Sequence, residues 1–568
     1  MRQMGLSERQ TDAAHRLGQD VCVVAGPGSG KTSVLIERFS WLVRERGVSP
    51  RRILAITFTE KAATEIRQRM IRAFEGDLRM RQEIERAWVS TIHAFCARLL
   101  RENAIEAAID PSFTVLEQSK LALQEAADQA LESMYKDSPG SVRTFLRSLA
   151  VATEREGYVP DLASSLIEIY QAIRLAGTPA QNLLRPPVKR PDLFARMQTI
   201  AQEVAAERTP TRSPNQAQVH ASAHDWCREV LALGCDEVTE AHLRSAQREN
   251  WNKHHMVKRS VAHRHEDELR ALCAEAHRDF LLHYYARERA MIAEAIGRID
   301  RLYRKRKRGS SMLDFDDLEE AAILLLENDL KLRERIRATF DYVLMDELQD
   351  TNPLQWRLME LVRREDRFFA VGDINQSIYG FRHARPDLYG NYRRGLEKAG
   401  LAVDELRDNY RSRPDLLETI NRIFAGAPGI EPHELIAGRP FAEKPSGSVE
   451  FIAAFAENTA DAERIEALWV AKRIVEIVGQ LPLSGGPAKF GDIAILTRAN
   501  YSTAELQLAL DKFGVPSVVV GGLTFFDTRE VRDLSLLLSV LVNPRNEVAL
   551  AGLLRSPMFG MSDEDLLR

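Results

Sequence analysis

The stretch Val21–Thr32, VCVVAGPGSGKT, decides how the rest of the chain is understood. From Val21 to Ala25 it has the β-branched and small apolar composition of a buried parallel strand. Gly26, Gly28 and Gly30, with Pro27 and Ser29 between them, then allow a tight turn whose backbone N–H groups point inward. After Lys31 and Thr32 the pattern turns helical, with SVLIERFSWLVRER from Ser33 carrying apolar residues at helical spacing. Strand, glycine loop and helix N-terminus together predict an anion cradle for a triphosphate. Lys31 is placed to reach the outer phosphates and the Thr32 hydroxyl to hold Mg²⁺. The common pattern has glycine five residues before Gly30, where this chain has Ala25.

Upstream, Ser7 of LSERQTDA is a helix N-cap with Gln10 a turn later. Gln10 either faces solvent or reads an adenine edge with its paired donor and acceptor. Downstream, ILAITF (53–58) predicts a second buried strand, and Thr59 begins a helix with an Ala-rich inner face. Thr57 and Phe58 stand at the carboxyl end of that strand, where open α/β sheets bind ligands. A core role fits Phe58 equally well. WVSTIHAFCARLLR (88–101) repeats the strand-to-helix turn, with His93 and Phe95 at the junction.

Residues 111 to about 309 change character. Strand-like runs give way to long amphipathic segments such as LALQEAADQALESMY, and a Pro-rich region between about 178 and 215 predicts loops. His254, His255, His263 and His265 fit a solvent-facing helix better than a metal site. The run RLYRKRKR (301–308) is dense enough to contact phosphate or to be a solvated helix end.

The sheet pattern then resumes. YVLM (342–345) is a buried strand with Asp346 and Glu347 at its carboxyl end. After a phosphate loop, one acid there should hold Mg²⁺ and the next polarise the attacking water. RFFAVGD (367–373) leads into INQSIYGFRHARPD, where Asp373 and Gln376 are placed to sense a γ-phosphate. Tyr379, Phe381 and Arg382 offer stacking faces and a cation suited to single-stranded bases. LRDNYRSRPDLLETINRIF sets Tyr410 and Arg411 before a helix. SVEFIAAF (448–455), DIAILTR (492–498) and SVVVGG (517–522) predict the strands of a second α/β domain.

At 568 residues the chain is too long for one core. Its charged fraction of 28% and hydrophobic fraction of 45% are those of a soluble globular protein. A net charge of −4 leaves no overall basic footprint, so nucleic-acid contacts must come from local grooves. Cys22, Cys96, Cys227, Cys235 and Cys273 lack CxxC spacing, which argues against zinc or iron–sulfur sites and fits a reducing cytoplasm. The polar N-terminus lacks the apolar core of a signal peptide, and no run of about 18 apolar residues predicts a transmembrane helix.

With these residues assembled, the chain resembles the superfamily 1 DNA helicases of the UvrD/RecB type. LSERQ, AGPGSGKT, TFTEKAA, STIHAFC, DELQDT, VGDINQSIYGFR and LRDNYRS follow the family's order across residues 6 to about 412. DIAILTR and GGLTFFDTREVRDL extend the resemblance to about 534. STIHAFCARLLRENAIEAAIDPSF and LDFDDLEEA look most like AddA, the helicase–nuclease subunit of bacterial recombination complexes. RecB and some stand-alone helicases share such stretches.

The resemblance implies an α/β fold of two P-loop-type, RecA-like parallel-sheet domains, the first interrupted by a helical insertion and the second incomplete. Its layout is an ATP-binding domain at 1–110 and 310–400, an insertion at 111–309, a partial second domain at 401–545 and the start of a further insertion at 546–568. It implies that Gln10 reads adenine and Tyr410 stacks on it. Lys31 and Thr32, within the loop Ala25, Gly26, Pro27, Gly28, Ser29, Gly30 and Ser33, bind ATP and Mg²⁺. Asp346 holds the metal, Glu347 activates water, and Gln376 and Arg411 touch the γ-phosphate. Thr57, Phe58, His93, Tyr379, Phe381 and Arg382 line the single-strand path.

The implied function is ATP-driven 3′-to-5′ translocation on single-stranded DNA and unwinding at junctions, in repair and recombination. A second helicase–nuclease subunit is an implied partner. The family's T-x-H-x-x-K-G-L-E and Y-V-A-x-T-R-A motifs and a nuclease domain do not occur in the sequence. The expectation is therefore the front part of a longer protein, which binds ATP–Mg²⁺ but by itself hydrolyses little. Two competing readings are a non-helicase P-loop ATPase, against which VGDINQSIYGFR and LRDNYRS count, and a nucleotide-binding partner module, against which intact Lys31, Asp346 and Glu347 count.

Overall fold

A computed structural model describes residues 6–117, 119–151, 162–177, 190–208, 210–233, 256–440, 449–483, 485–498, 502–520 and 529–567. The chain divides into two compact units, Met1–Ala442 and Glu443–Arg568.

Six parallel strands make the sheet of the first unit: β1 (Val21–Ala25), β2 (Ile53–Thr57), β3 (Trp88–Thr91), β4 (Tyr342–Met345), β5 (Phe368–Gly372) and β6 (Val403–Leu406). Their order is β3-β2-β4-β5-β1-β6. β1, β2, β4 and β5 are buried along their whole length, as strands covered on both faces must be. The alternation of side chains divides β1 between two cores. Val21, Val23 and Ala25 pack with Leu35 and Phe39, while Cys22 and Val24 face Phe95 and Leu358 on the other side. Strand order then positions the site. β4, β5 and β1 are neighbours, so the loops at their carboxyl ends converge, although some 320 residues separate β1 from β4. β6 pairs with β1, which places residues 403–406 in this sheet and not in the second domain expected from 401 onward.

Helices cover the sheet, among them α1 (Glu8–His15), α2 (Lys31–Arg44), α3 (Glu60–Ala73), α4 (Ile92–Glu102), α5 (Phe315–Asn328) and α6 (Pro353–Val362). The insertion between α4 and α5 is helical, and a short parallel ladder of Thr114–Val115 with Met312–Leu313 ties its entry to its exit. One apolar core within it gathers Ala127, Leu166, Ile296 and Tyr303, and another Ile200, Trp226 and Cys273. Part of the stretch predicted as loops is a helix, Arg190–Ala206. Its Met197, Ile200, Ala201 and Val204 recur at helical spacing and are buried, an apolar face that outweighs the prolines around it.

In the second unit, helices Thr459–Ile477 and Ser502–Lys512 pack around Ala471, Ile474 and Leu510. The described parts of the three runs predicted as strands pair with nothing: residues 449–455, 493–497 and 515–520 join no ladder. Phe455 is 87% exposed and Leu496 95%. A strand exists only through its neighbours, and here the apolar runs have none. Among the described residues no helix is long and apolar enough to cross a membrane.

Candidate functional site

The loop after β1 is held by contacts from three directions. Gly28 and Gly30 lie at φ +71° and +84°, where a side chain is strained. A Cβ on Gly28 would fall 2.7 Å from Arg411 Cβ and 2.8 Å from the Asn409 amide. Asn409 Nδ2 donates to Pro27 O (2.5 Å), and the Tyr410 N–H donates to Gly28 O (2.9 Å). The Tyr410 ring lies against Gly438, while the Arg411 side chain is exposed. Ser29 is buried and donates to Gly26 O (2.7 Å); Ala25 is the buried end of β1, and Ser33 is half-buried.

Gln10 is buried, and both ends of its amide are engaged. Oε1 accepts from Ser7 N (2.8 Å) in a capping box, and Nε2 donates to Ser29 O (2.7 Å). Gln10 therefore fastens α1 to the loop. Arg38 fastens the other end of α1, donating to Ala14 O (2.9 Å) and Arg16 O (2.5 Å) beside the Tyr342 and Phe369 rings. Burial pushes its guanidinium down to about 10. In sequence Arg38 looks like any polar residue of an amphipathic helix. Only the fold reveals its place.

The acids after β4 meet Lys31 directly. Lys31 Nζ donates to Glu347 Oε2 (3.0 Å) and Gln376 Oε1 (3.1 Å), and Thr32 Oγ1 lies 3.5 Å from Asp346 Oδ2. Gln349, to which the sequence pattern assigns no role, completes a ring. Its Nε2 donates to Glu347 Oε2 (2.8 Å), and its Oε1 accepts from Asp373 N (2.9 Å). Asp373 Oδ2 in turn accepts from Gln376 Nε2 (2.5 Å). Gly372 has room for no side chain, since a Cβ would stand 2.7 Å from Gln349 Oε1. Glu347 sits in the left-handed region (φ +53°), strain of about 1–2 kcal/mol that the surrounding bonds must hold.

Burial, with the charge of Glu347 second, pushes the Asp346 carboxyl up to about 7; the same two causes push Asp350 up to about 6. A desolvated carboxylate facing a hydroxyl is a hard oxygen donor set short of a cation, and it fits Mg²⁺ at Thr32 and Asp346. The inward N–H groups of the loop and the Lys31 ammonium fit a triphosphate.

A second face lies at the ends of β2 and β5. The rings of Phe58 and Tyr379 are 4.5 Å apart and those of Tyr379 and Phe381 5.7 Å, with the Arg382 guanidinium 5.4 and 5.8 Å from the latter two. Phe381 is 76% exposed and Phe58 half-buried, so the row presents ring surface to solvent. Thr57 is buried beneath it. His93 stands apart from the row, its Nε2 3.0 Å from Glu319 Oε1 and its ring 4.6 Å from Phe315.

Residues 6–396 match the UvrD/REP helicase N-terminal domain, and residues 405–567 match the UvrD-like helicase C-terminal domain. The chain belongs to the UvrD-like helicase family. The ATP-dependent helicase/nuclease subunit of this type from Anoxybacillus flavithermus is 27% identical over 99% of this chain and 54% of its own length. The protein of the same name from Geobacillus kaustophilus is 28% identical over 99% and 52%, and that from Exiguobacterium sibiricum 26% over 99% and 53%. The chain spans about half the length of these curated relatives.

Other charged groups of this UvrD-like helicase chain are spent on packing. Of the run 301–308, Tyr303 and Lys307 are buried. Lys307 pairs with Asp314 (2.6 Å) and Asp317, Arg304 with Asp300 (2.6 Å) and Glu320 (2.8 Å), and Arg306 with Glu125. Most of the run's charge is thus neutralised internally, which corrects the phosphate-contact expectation. His265 pairs with Glu203 (2.9 Å) and Glu268 (3.3 Å), and the described residues contain no metal-binding cluster. His254, His255 and Cys235 lie outside the described residues, and the other four cysteines are free and buried.

Proposed function

We propose that this chain is the motor of an ATP-driven DNA helicase that moves along single-stranded DNA and unwinds duplex at junctions. The observation that carries the reading is the closed ring of Lys31, Glu347, Gln349, Asp373 and Gln376 at the end of three adjacent strands. When Lys31 turns to a γ-phosphate, it must leave Glu347 and Gln376. Glu347 is then free to orient a water, and Gln376 to contact the phosphate. Tyr379, Phe381 and Arg382 follow Gln376 on the same turn, so a change at Gln376 reaches the stacking row within a few residues. Arg411, exposed beside Gly28, is the nearby cation for developing phosphate charge.

Under this proposal residues 1–110 and 310–400 form the ATP-binding domain, 111–309 its insertion, and the second domain runs from about 401. Movement is 3′ to 5′, by resemblance to the family. The relatives' name, which joins helicase and nuclease in one subunit, supports a cytoplasmic role in processing broken DNA ends beside a second protein chain. The reading is tested by calorimetric titration with ATP–Mg²⁺. Lys31→Ala should lose roughly 10–100-fold in affinity, the worth of one charged hydrogen-bond donor. Glu347→Gln should bind within about twofold of the parent yet hydrolyse roughly 10²–10⁴-fold more slowly. Equal affinity in the parent and Lys31→Ala contradicts the site.

A further inference from the structure

Glu319, in the second turn of α5, is a buried carboxylate that the chemistry above does not use. Its side chain is 1% exposed. Burying a carboxylate is unfavourable unless its lone pairs are filled. Here the donors come from two places. From the first turn of α6, Gln355 Nε2 donates to Oε1 (2.7 Å) and Asn352 Nδ2 to Oε2 (3.3 Å). From the start of α4, His93 Nε2 lies 3.0 Å from Oε1. Phe315, one helical turn before Glu319, packs on the other side of the same imidazole.

The two sides belong to different parts of the proposed motor. α6 begins six residues after Glu347, and the intervening Leu348, Gln349 and Asp350 are buried, so the first turn of α6 is rigidly joined to the hydrolytic acids. His93, in contrast, is half-exposed at the carboxyl end of β3. Glu319 is the side chain that touches both. Asp314, Asp317 and Glu320 on the neighbouring positions bind Arg174 of the insertion at 2.8–3.1 Å, so α5 is itself firmly held.

We propose that Glu319 is a positioning residue that couples occupancy of the single-strand face at His93 to the acid-bearing segment after β4. It touches neither nucleotide nor DNA. It sets the place of His93 relative to Asn352 and Gln355, and through them the segment carrying Glu347. This rests on the helicase reading above.

The test is steady-state ATP hydrolysis by the full-length gene product with and without single-stranded DNA. Glu319→Gln removes the charge but keeps the shape, and the DNA-stimulated increment should fall roughly tenfold, within the usual range of site-to-site coupling. Basal hydrolysis and DNA affinity should stay within about twofold, which a general loss of structure would not allow. Gln355→Met, which removes only the short donor, should act in the same direction and serves if Glu319→Gln melts early. His93→Gln combined with Glu319→Gln should be no worse than the stronger single change, because both break one link. Full stimulation in both Glu319→Gln and Gln355→Met, or strict additivity with His93→Gln, overturns the coupling while leaving the helicase reading intact. A parent protein that DNA does not stimulate overturns the helicase reading, and the coupling with it.

Discussion

Asp346 carries the sharpest conflict in the molecule, a carboxylate buried beside a second acid. Its pKa is pushed up from 3.8 to about 7 by burial and then by Glu347. The folded state therefore holds its proton more tightly than the unfolded chain. Folding stability from this group is fully present below about pH 4 and is lost as pH rises toward 7. Without Mg²⁺, Asp346→Asn should raise the melting temperature at pH 8, and the gain should shrink as pH falls toward 4. Mg²⁺ needs the ionised form, so its affinity should rise with pH through about 7. A melting temperature of Asp346→Asn below the parent's at pH 8 contradicts this. The aromatic row gives a second prediction. Phe381→Ala should weaken single-strand binding by about 1–3 kcal/mol, independent of base sequence, with an unchanged melt because the ring is exposed. Phe58→Ala should lose similar affinity and some stability, since Phe58 also packs on Tyr379. Parallel binding curves and melts separate the two. Lys31, Thr32, Asp346, Glu347 and Gln376 were legible because each stands at a strand end within a short pattern. Gln349, Arg38 and Glu319 were not, because burial and distant partners define them and a one-dimensional pattern displays neither.

At the scale of elements, the order of strands was legible only in part. Each of the strands β1 to β5 was visible as an apolar run, but nothing local places β4 between β2 and β5. The helix Arg190–Ala206 was hidden by flanking prolines, and the runs at 448–455, 492–498 and 517–522 read as strands because composition cannot report whether a neighbour is present. Charge runs misled for a related reason: Lys307 looks solvated until Asp314 and Asp317 of the next helix are placed against it. That junction makes a prediction. Arg174, 4% exposed, binds Asp314, Asp317 and Glu320, with Asp316 at 3.5 Å. Burial pushes the Asp316 carboxyl up to about 7, whereas at Asp314 the Arg174 and Lys307 charges outweigh burial and hold the carboxyl down. Arg174→Met leaves these acids short of a cation and should destabilise by about 3–5 kcal/mol, read from urea unfolding. A loss under about 1 kcal/mol, the worth of an exposed pair, would mean the cluster does not hold the insertion to α5.

At the scale of the whole molecule, the parallel sheet is a frame that brings three strand-end loops together, and the UvrD-like family match covers nearly the entire chain. The central claim is that one loop change serves two purposes: Lys31 leaving Glu347 and Gln376 both readies the hydrolytic acid and moves the turn that carries Tyr379, Phe381 and Arg382. Such a device links nucleotide and DNA thermodynamically, and the linkage must run in both directions. The most direct measurement is the affinity of the full-length gene product for single-stranded DNA with and without a non-hydrolysable ATP analogue and Mg²⁺, in the parent and in Lys31→Ala. The account predicts that the nucleotide changes DNA affinity roughly five- to a hundredfold in the parent and leaves it unchanged in Lys31→Ala. A DNA affinity indifferent to nucleotide in the parent, or a shift that survives Lys31→Ala, would contradict it.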